Sequence, residues 1–445
     1  MKLAIVIQRY GADVNGGAEL HARYIAEHLA PHHEVDVLTT CALDYITWAN
    51  ALPPGTEDVN GVRVRRFRVA RPRRPVEFGR RSEFVFGHAH SIADELAWLD
   101  SEGPASRALV RYIAGGGGTY DFLLFFSYRY YHAYHGARAA GPRAILVPTA
   151  ERDPAIGLAL FRPLFRGVRA LMYNSFEERA MIQAVADNAD VPGVVVGVGS
   201  DVPAHTEPAR FRQSHALPGP FLVYVGRIDA NKGCKELFTF FQRYVRATGS
   251  RLSLALIGKA VLPIPDHPRI RHLGFLDDRD KFDAIAAAEA LVMPSYYESL
   301  SMVALEAWAL GTPVIANGRC DVLRGQCIRS NGGFYYDSFE EFAGTVREIE
   351  TNSNLRRALG RQGRDYFRAH YDWPVIERKY LDMLARLADD DRAGHGGPGI
   401  APLPGWFARR RRDLPPARDI LATLPSGAVV PRRQHQRSPS ERPPA

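Results

Sequence analysis

Short, continuous apolar runs recur along this chain, and most are followed by a turn and a helical pattern. LAIVI (3–7), DFLLFF (121–126), RAILV (143–147), GVVVG (193–197), FLVYVG (221–226) and LSLALIG (252–258) lack the apolar–polar alternation of a half-solvated strand. A strand covered on both faces reads this way, and such strands belong to parallel sheets. Helical patterns near 18–29, 89–100, 105–113, 154–165, 176–186, 234–247 and 278–288 separate the runs. The alternation predicts an α/β chain with doubly wound parallel sheets and helices on both faces. Further strands are expected at 35–38, 62–69, 169–173 and 291–294.

The pattern lapses once in the body. The stretch SDVPAHTEPARFRQSHALPGP, ending at Pro220, is proline-dense and aperiodic. The expected organisation is a first Rossmann-like lobe over 1–200, a linker over 201–219 and a second Rossmann-like lobe over 220–373. A last helix over 374–391 follows, then a basic Pro/Arg-rich tail over 392–445, expected to be mostly disordered. Within the tail, 405–424 (GWFARRRRDLPPARDILATL) could form a short basic amphipathic patch, broken by its prolines.

Charge is concentrated. Ten arginines against Asp413, Asp419 and Glu441 give the tail +7 of the chain's formal +8. A second stretch, Arg63 to Arg81, holds nine arginines and one acid. Each has two readings: a solvated face, or attraction to an anionic membrane or acceptor. No recognition helix or RNA-binding motif accompanies the charge, so nucleic acid is not expected. No apolar run approaches the roughly 18 residues of a membrane span. The start, MKLAIVIQRYGADVNGG, reads as a core strand and glycine turn rather than a signal peptide. Cys41, Cys234, Cys320 and Cys327 are scattered, which fits a reducing cytoplasm without disulfides or zinc. Peripheral contact with the cytoplasmic membrane face is left open.

Four constellations carry chemistry. LVMPSYYESLSMVALEAWALGTPVIA (291–316) reads as strand, polar loop, helix, glycine stop and strand. Ser299 or Ser301 is expected to cap the helix over Met302 to Leu310. Its N-terminus, after Leu300 and Ser301, would aim free N–H groups into the crevice past the strand end, where phosphate is favoured. Glu298 and Glu306 could accept hydrogen bonds from ligand hydroxyls, or be solvated surface acids. Second, GRIDANKG (226–233) begins with Gly226 and places Arg227 and Lys232 on one turn, suited to clamp a diphosphate. Third, Gly16 and Gly17 let backbone come close to a ligand. Fourth, PTAERDP (148–154) puts Glu151 and Asp153 at a strand's carboxyl end. Ser127-Tyr128-Arg129-Tyr130-Tyr131 would open toward the same crevice, for sugar stacking or for core packing. His21, His88, His90, His132 and His135 lack metal spacing and read as loop or surface residues.

YESLSMVALEAWALGTPVIA resembles the signature of retaining family-four glycosyltransferases, the glycosyl transferases group 1, with its two glutamates before a G-T-P-V strand. Gly226 to Gly233 resembles the same family's G-R-x(4)-K-G motif, and the Gly16-Gly17 turn its N-terminal glycine loop. Ser299 stands where the family often has glycine. Glu151 stands where the family commonly has a histidine. The resemblance implies the GT-B fold, two lobes facing a cleft, with the last helix crossing back to the first lobe. It implies a nucleoside diphosphate sugar as donor, a hydroxyl acceptor, no bound cofactor and no metal. Glu298 would hold the donor sugar, Glu306 the ribose, and Arg227 with Lys232 the leaving diphosphate. Glu151 or Asp153 would orient the acceptor or take no part. Two other readings stay open: a nucleotide-sugar epimerase on the same fold, or a non-catalytic binding or scaffold protein.

Overall fold

The computed structural model describes residues 1–14, 16–116 and 119–431. The first lobe holds β1 (Lys2–Val6), β2 (Glu34–Thr40), β3 (Gly55–Val59), β4 (Val62–Phe67), β5 (Phe122–Phe126), β6 (Ala144–Val147), β7 (Ala170–Tyr173) and β8 (Gly193–Val195). Their order in the sheet is β3-β4-β2-β1-β5-β6-β7-β8. The second lobe holds β9 (Phe221–Val225), β10 (Ser253–Ile257), β11 (Ile270–Gly274), β12 (Ala290–Met293), β13 (Val314–Asn317) and β14 (Gly333–Tyr336), ordered β11-β10-β9-β12-β13-β14. Among the described residues, every pairing between these strands is parallel except the β3–β4 hairpin at the edge of the first sheet. Every residue of β5, β6, β9 and β12 is buried, which is why these strands read as unbroken apolar runs.

The sheet order fixes where ligands can bind. β1 lies between β2 and β5, so the chain leaves its carboxyl end in one direction and returns on the other side. β9 lies in the same way between β10 and β12. Each is a topological switch point with a crevice past the strand ends.

Several expected elements differ. The helix expected over 154–165 is two short 3-10 turns, Pro154–Gly157 and Ala159–Phe161, then the helix Arg162–Gly167. Pro154 and Pro163 each fit only a first turn, so one continuous helix cannot form. The proline-dense stretch after Gly199 contains the helix Pro208–Ser214, fastened to the second lobe by Arg210 on Asp280 and Asp283 (2.5 Å each). The basic stretch 63–81 is partly neutralised within the lobe. Arg63 pairs with Asp36 (2.7 Å), Arg66 with Glu57, Arg73 with Glu102 (2.7 Å) and Arg81 with Glu77 (3.0 Å).

The helix Trp373–Arg392 runs back along the first lobe. His28 Nδ1 lies 2.7 Å from Glu377, Lys379 Nζ donates to the Val196 carbonyl (3.1 Å), and Arg169 pairs with Asp391 (2.8 Å). The expected tail divides. Residues 392–431 differ from a disordered chain: they lie against the body and include the helix Ala417–Thr423. Residues 432–445 lie outside the described residues.

Candidate active site in the interlobe cleft

A cavity of about 530 Å³ occupies the cleft between the two switch points. Its second-lobe wall is built by two loops pressed together. Gly233 has φ +70°, and a Cβ there would stand 2.0 Å from the Pro294 carbonyl oxygen. Only glycine lets the 226–233 loop meet the loop after β12 this closely. Gly226 (φ +149°) turns the chain out of β9. Asp229 folds the turn, accepting the Lys232 N–H (2.8 Å) and the Arg227 guanidinium. Lys232 Nζ then sits 2.6 Å from Glu298 Oε1. Burial pulls the Lys232 ammonium down, but Glu298 and Glu151 together hold it above its ordinary value. Arg227 reaches across the cleft and donates to Tyr45 Oη (2.6 Å) in the first lobe.

Neither expected serine caps the helix Met302–Leu310. Ser301 takes φ +73°, ψ 86°, and its side chain makes no cap bond; its Oγ is buried without a partner among the described residues. The Ser299 hydroxyl instead accepts from Asn174 Nδ2 of the first lobe (3.4 Å). The helix terminus, with Ser299, Leu300 and Ser301, lines the cavity with its first N–H groups uncapped by a side chain.

Glu306 is neither solvated nor on the cavity wall. It is 2% exposed, with Oε1 held by Ser200 Oγ (3.0 Å) and Lys281 Nζ (3.3 Å), while Oε2 has no partner among the described residues. Burial raises its pKa, and Lys281 and Ser200 offset part of the rise.

On the first-lobe wall, Gly16 is extended, and a Cβ there would stand 2.2 Å from Glu19 Oε2. Glu19 is gripped by Arg9 (2.7 Å) and Gln8 (3.0 Å), which directly follow β1. Gly17, which opens the helix Gly17–Leu29, leaves open space where a side chain would stand. Asn15 of the same turn lies outside the described residues. Past β6, Asp153 is committed to the scaffold: it takes Arg129 and caps the turn at the Ala155 N–H (2.9 Å). Glu151 faces the cavity without such partners. Its pKa is pushed up to about 7 by burial; Lys232 opposes the rise, and Glu298 and Asp153 add to it. Behind it, Glu178 is buried and accepts the N–H groups of Ala150 and Asn174, tying the loop after β6 to the end of β7.

The cleft therefore gathers Gly16, Gly17, Glu151, Gly226, Arg227, Lys232, Glu298, Ser299, Leu300 and Ser301, and leaves out Glu306. Tyr45 and Asn174 were not singled out in the sequence. Asn174 could have been found, since it immediately follows β7; Tyr45, on a loop after β2, gives no signal. Tyr128 and Tyr130 line the cavity but their rings pack on Phe161 (4.8 Å) and Trp48 (5.6 Å). The histidines need correction. His21, His90 and His132 are buried, and desolvation holds His21 down to about 3 and His132 to about 4. His21 and His132 stand on helices against Phe126 of β5, so the loop reading fails for them; His90 keeps its loop but is buried there against Glu95 (2.9 Å), and His88 is an exposed loop residue as expected. Six cavity-lining side chains, Gln8, His21, Tyr128, Asn174, Ser295 and Ser301, each carry a buried polar atom with no partner among the described residues. A wall of that kind suits a ligand rich in hydroxyl and phosphate oxygens.

Residues 206–366 match the model of the family described as glycosyl transferases group 1. The match covers most of the second lobe and none of the first. The lipopolysaccharide core biosynthesis glycosyltransferase LpsE of Rhizobium meliloti is 28% identical over 172 residues, 37% of this chain and 50% of that protein. The chain thus spans about half the length of that curated relative. Among solved structures, the sucrose-phosphate synthase of Thermosynechococcus elongatus superposes with a TM-score of 0.64 at 17% identity, covering 87% of this chain and 99% of that one. HepE of Anabaena, solved in complex with UDP-glucose, gives a TM-score of 0.62 at 16% identity, covering 87% and 100%. The two facing parallel-sheet lobes are the GT-B fold.

Proposed function

We propose that this chain transfers a glycosyl group from a nucleoside diphosphate sugar to an acceptor hydroxyl, with retention of anomeric configuration. The observation that carries the reading is the convergence of Arg227, Lys232, Glu298 and an uncapped helix N-terminus on one wall of one cleft. Two cations on one turn and an N-terminal dipole match a diphosphate. Glu298, paired with Lys232 at 2.6 Å, offers its other oxygen to sugar hydroxyls. The match of residues 206–366 to the group 1 glycosyl transferase model and HepE's complex with UDP-glucose support a nucleotide-sugar donor.

In this reading the bond from the anomeric carbon to the diphosphate oxygen breaks, and the acceptor oxygen bonds that carbon from the same face. The acceptor's proton passes to the departing phosphate oxygen. Arg227 and Lys232 stabilise the charge on the leaving diphosphate, the task a metal would otherwise perform. Glu151, whose carboxylate makes no hydrogen bond or ion pair among the described residues, orients the acceptor hydroxyl. Glu306 stands behind the cavity wall, so its Oε2, unpartnered among the described residues, accepts from ribose hydroxyls only after the wall in front of it moves. A panel of nucleotide sugars tested by thermal shift, followed by donor hydrolysis by wild type and Glu298→Gln, tests the reading. A hit in the panel with hydrolysis lost in the variant is expected; no shift with any donor would refute it.

The Trp406–Phe407 pair favours a peripheral contact with anionic membrane, at the cytoplasmic face. Trp406 is 56% and Phe407 82% exposed, beside Arg409 to Arg412. An exposed aromatic pair beside cations suits the headgroup region. Among the described residues no helix is long and apolar enough to cross a membrane. Trp406→Ser with Phe407→Ser should abolish pelleting with phosphatidylserine vesicles; equal pelleting would exclude this contact.

A further inference from the structure

The chain beyond Asp413 makes contacts with both lobes. Helix Ala417–Thr423 lies on the first lobe, where Ala417 is fully buried and its carbonyl oxygen would stand 2.2 Å from a Cβ on Gly157. Gly157 is therefore the seat of that helix. Arg152 fastens the helix's exit, donating to the Leu424 carbonyl (3.0 Å) and the Pro425 carbonyl (2.6 Å). The chain then crosses to the second lobe. The Gly427 N–H donates to Asp321 Oδ1 (2.8 Å), with Gly427 at φ +102°.

Val429 closes the connection. Its N–H donates to Glu177 Oε1 of the first lobe (3.0 Å), and its carbonyl accepts from Arg329 Nη1 of the second (2.6 Å). Glu177 and Arg329 also pair directly across the lobes (3.1 Å for Nη2 to Oε2). Both side chains are under a tenth exposed. Hydrogen bonds to such desolvated charges are stronger than neutral ones. The same segment, Pro425 to Val429, walls a second cavity of about 140 Å³ with Ala150, Arg152, Tyr296, Tyr297 and Glu298. Glu298 lines this cavity and the main cleft alike.

We propose that residues 424–430 are an interlobe strap: they fix the angle between the lobes and support the Tyr296–Glu298 loop from behind. The strap is a specificity element of the cleft, because it bounds the space into which a sugar held by Glu298 can extend. This last step rests on the donor reading given above; the mechanical step does not.

The test uses two full-length variants. Gly427→Pro removes the N–H and cannot adopt φ +102°; Gly157→Val drives the helix Ala417–Thr423 off its seat without touching the strap. Each is labelled at Glu83→Cys in the first lobe and Arg243→Cys in the second, both exposed, and the distance distribution is measured against the labelled parent. Both variants should broaden the distribution, and the KM of the donor should rise about tenfold, the worth of one hydrogen bond to a charge, with a smaller change in kcat. Should Gly157→Val not fold, Gly427→Pro decides alone. An unchanged distribution overturns the strap. A broadened distribution with an unchanged KM overturns its part in donor binding. A broadened distribution in a protein whose parent turns over no donor supports the strap and overturns the transferase reading.

Discussion

Glu151 should make this protein's stability depend on pH in a way that one substitution removes. Burial in the cleft lifts its pKa from 4.5 to about 7. The folded state therefore binds the proton more tightly than the unfolded chain. The stabilisation is complete below about pH 4.5 and is lost as pH rises through about 7. A rise from 4.5 to about 7 is worth about 3 kcal/mol, an upper bound because the cleft can relax and admit water. Glu151→Gln keeps the shape and cannot titrate. Urea unfolding of both proteins at pH 5, 6, 7 and 8 should show the variant gaining about 1–3 kcal/mol on wild type between the two ends. Parallel curves would show that Glu151 ionises freely and that the cleft does not desolvate it. A variant that lost ground as pH rose would reverse the sign and refute the argument outright. The same proton has a kinetic signature. If Glu151 orients the acceptor as a carboxylate, wild-type turnover should rise through about pH 7 and the variant's should not.

Three further perturbations address the second lobe. Gly233→Ala forces a Cβ to within 2.0 Å of the Pro294 carbonyl at φ +70°, so it should cost at least about 2 kcal/mol in denaturant unfolding and weaken donor binding, because both loops move apart. Lys281→Met leaves Glu306 buried without its counter-charge; a loss of about 3–5 kcal/mol is expected at pH 8, shrinking at pH 5 as the carboxyl protonates, read by the same unfolding series. Lys232→Met should abolish the thermal shift caused by a nucleoside diphosphate while leaving binding of the nucleoside alone, measured by calorimetry, within a few-fold.

What the sequence disclosed, and what it withheld, follows from burial and chain separation. β5, β6, β9 and β12 were legible because full burial demands apolar residues throughout. β3 (GTEDV) and β11 (IRHLG) were not, because edge strands with solvent on their faces carry no such demand. The donor wall was legible for a related reason. Lys232 and Glu298 lie 66 residues apart, yet each follows a strand at the same end of one sheet, so topology alone places them together. Glu306 was misplaced because its surroundings come from Lys281 and Ser200, and neither residue marks itself as a partner. The serine caps failed at a finer scale: Ser301 has the right letter for a cap, and its left-handed backbone is set by the loop's packing on its neighbours.

The tail shows the deepest reason for the gap. Its Gly, Pro and Arg composition cannot build a core, so composition predicts disorder. Yet residues 424–430 need no core of their own. Their anchors are Arg152, Glu177, Asp321 and Arg329, charges already buried or half-buried at the seam between lobes. The strap supplies mostly backbone N–H and carbonyl groups, which any sequence possesses. Apart from Leu424, which buries its side chain in the first-lobe core, a segment held by its main chain leaves little trace in its own side chains. What it does leave is Gly427 at φ +102° and, on the partner surface, Gly157, where a Cβ would strike Ala417. The strap is therefore written in two glycines 270 residues apart, and in the pattern of charges that they bring within reach.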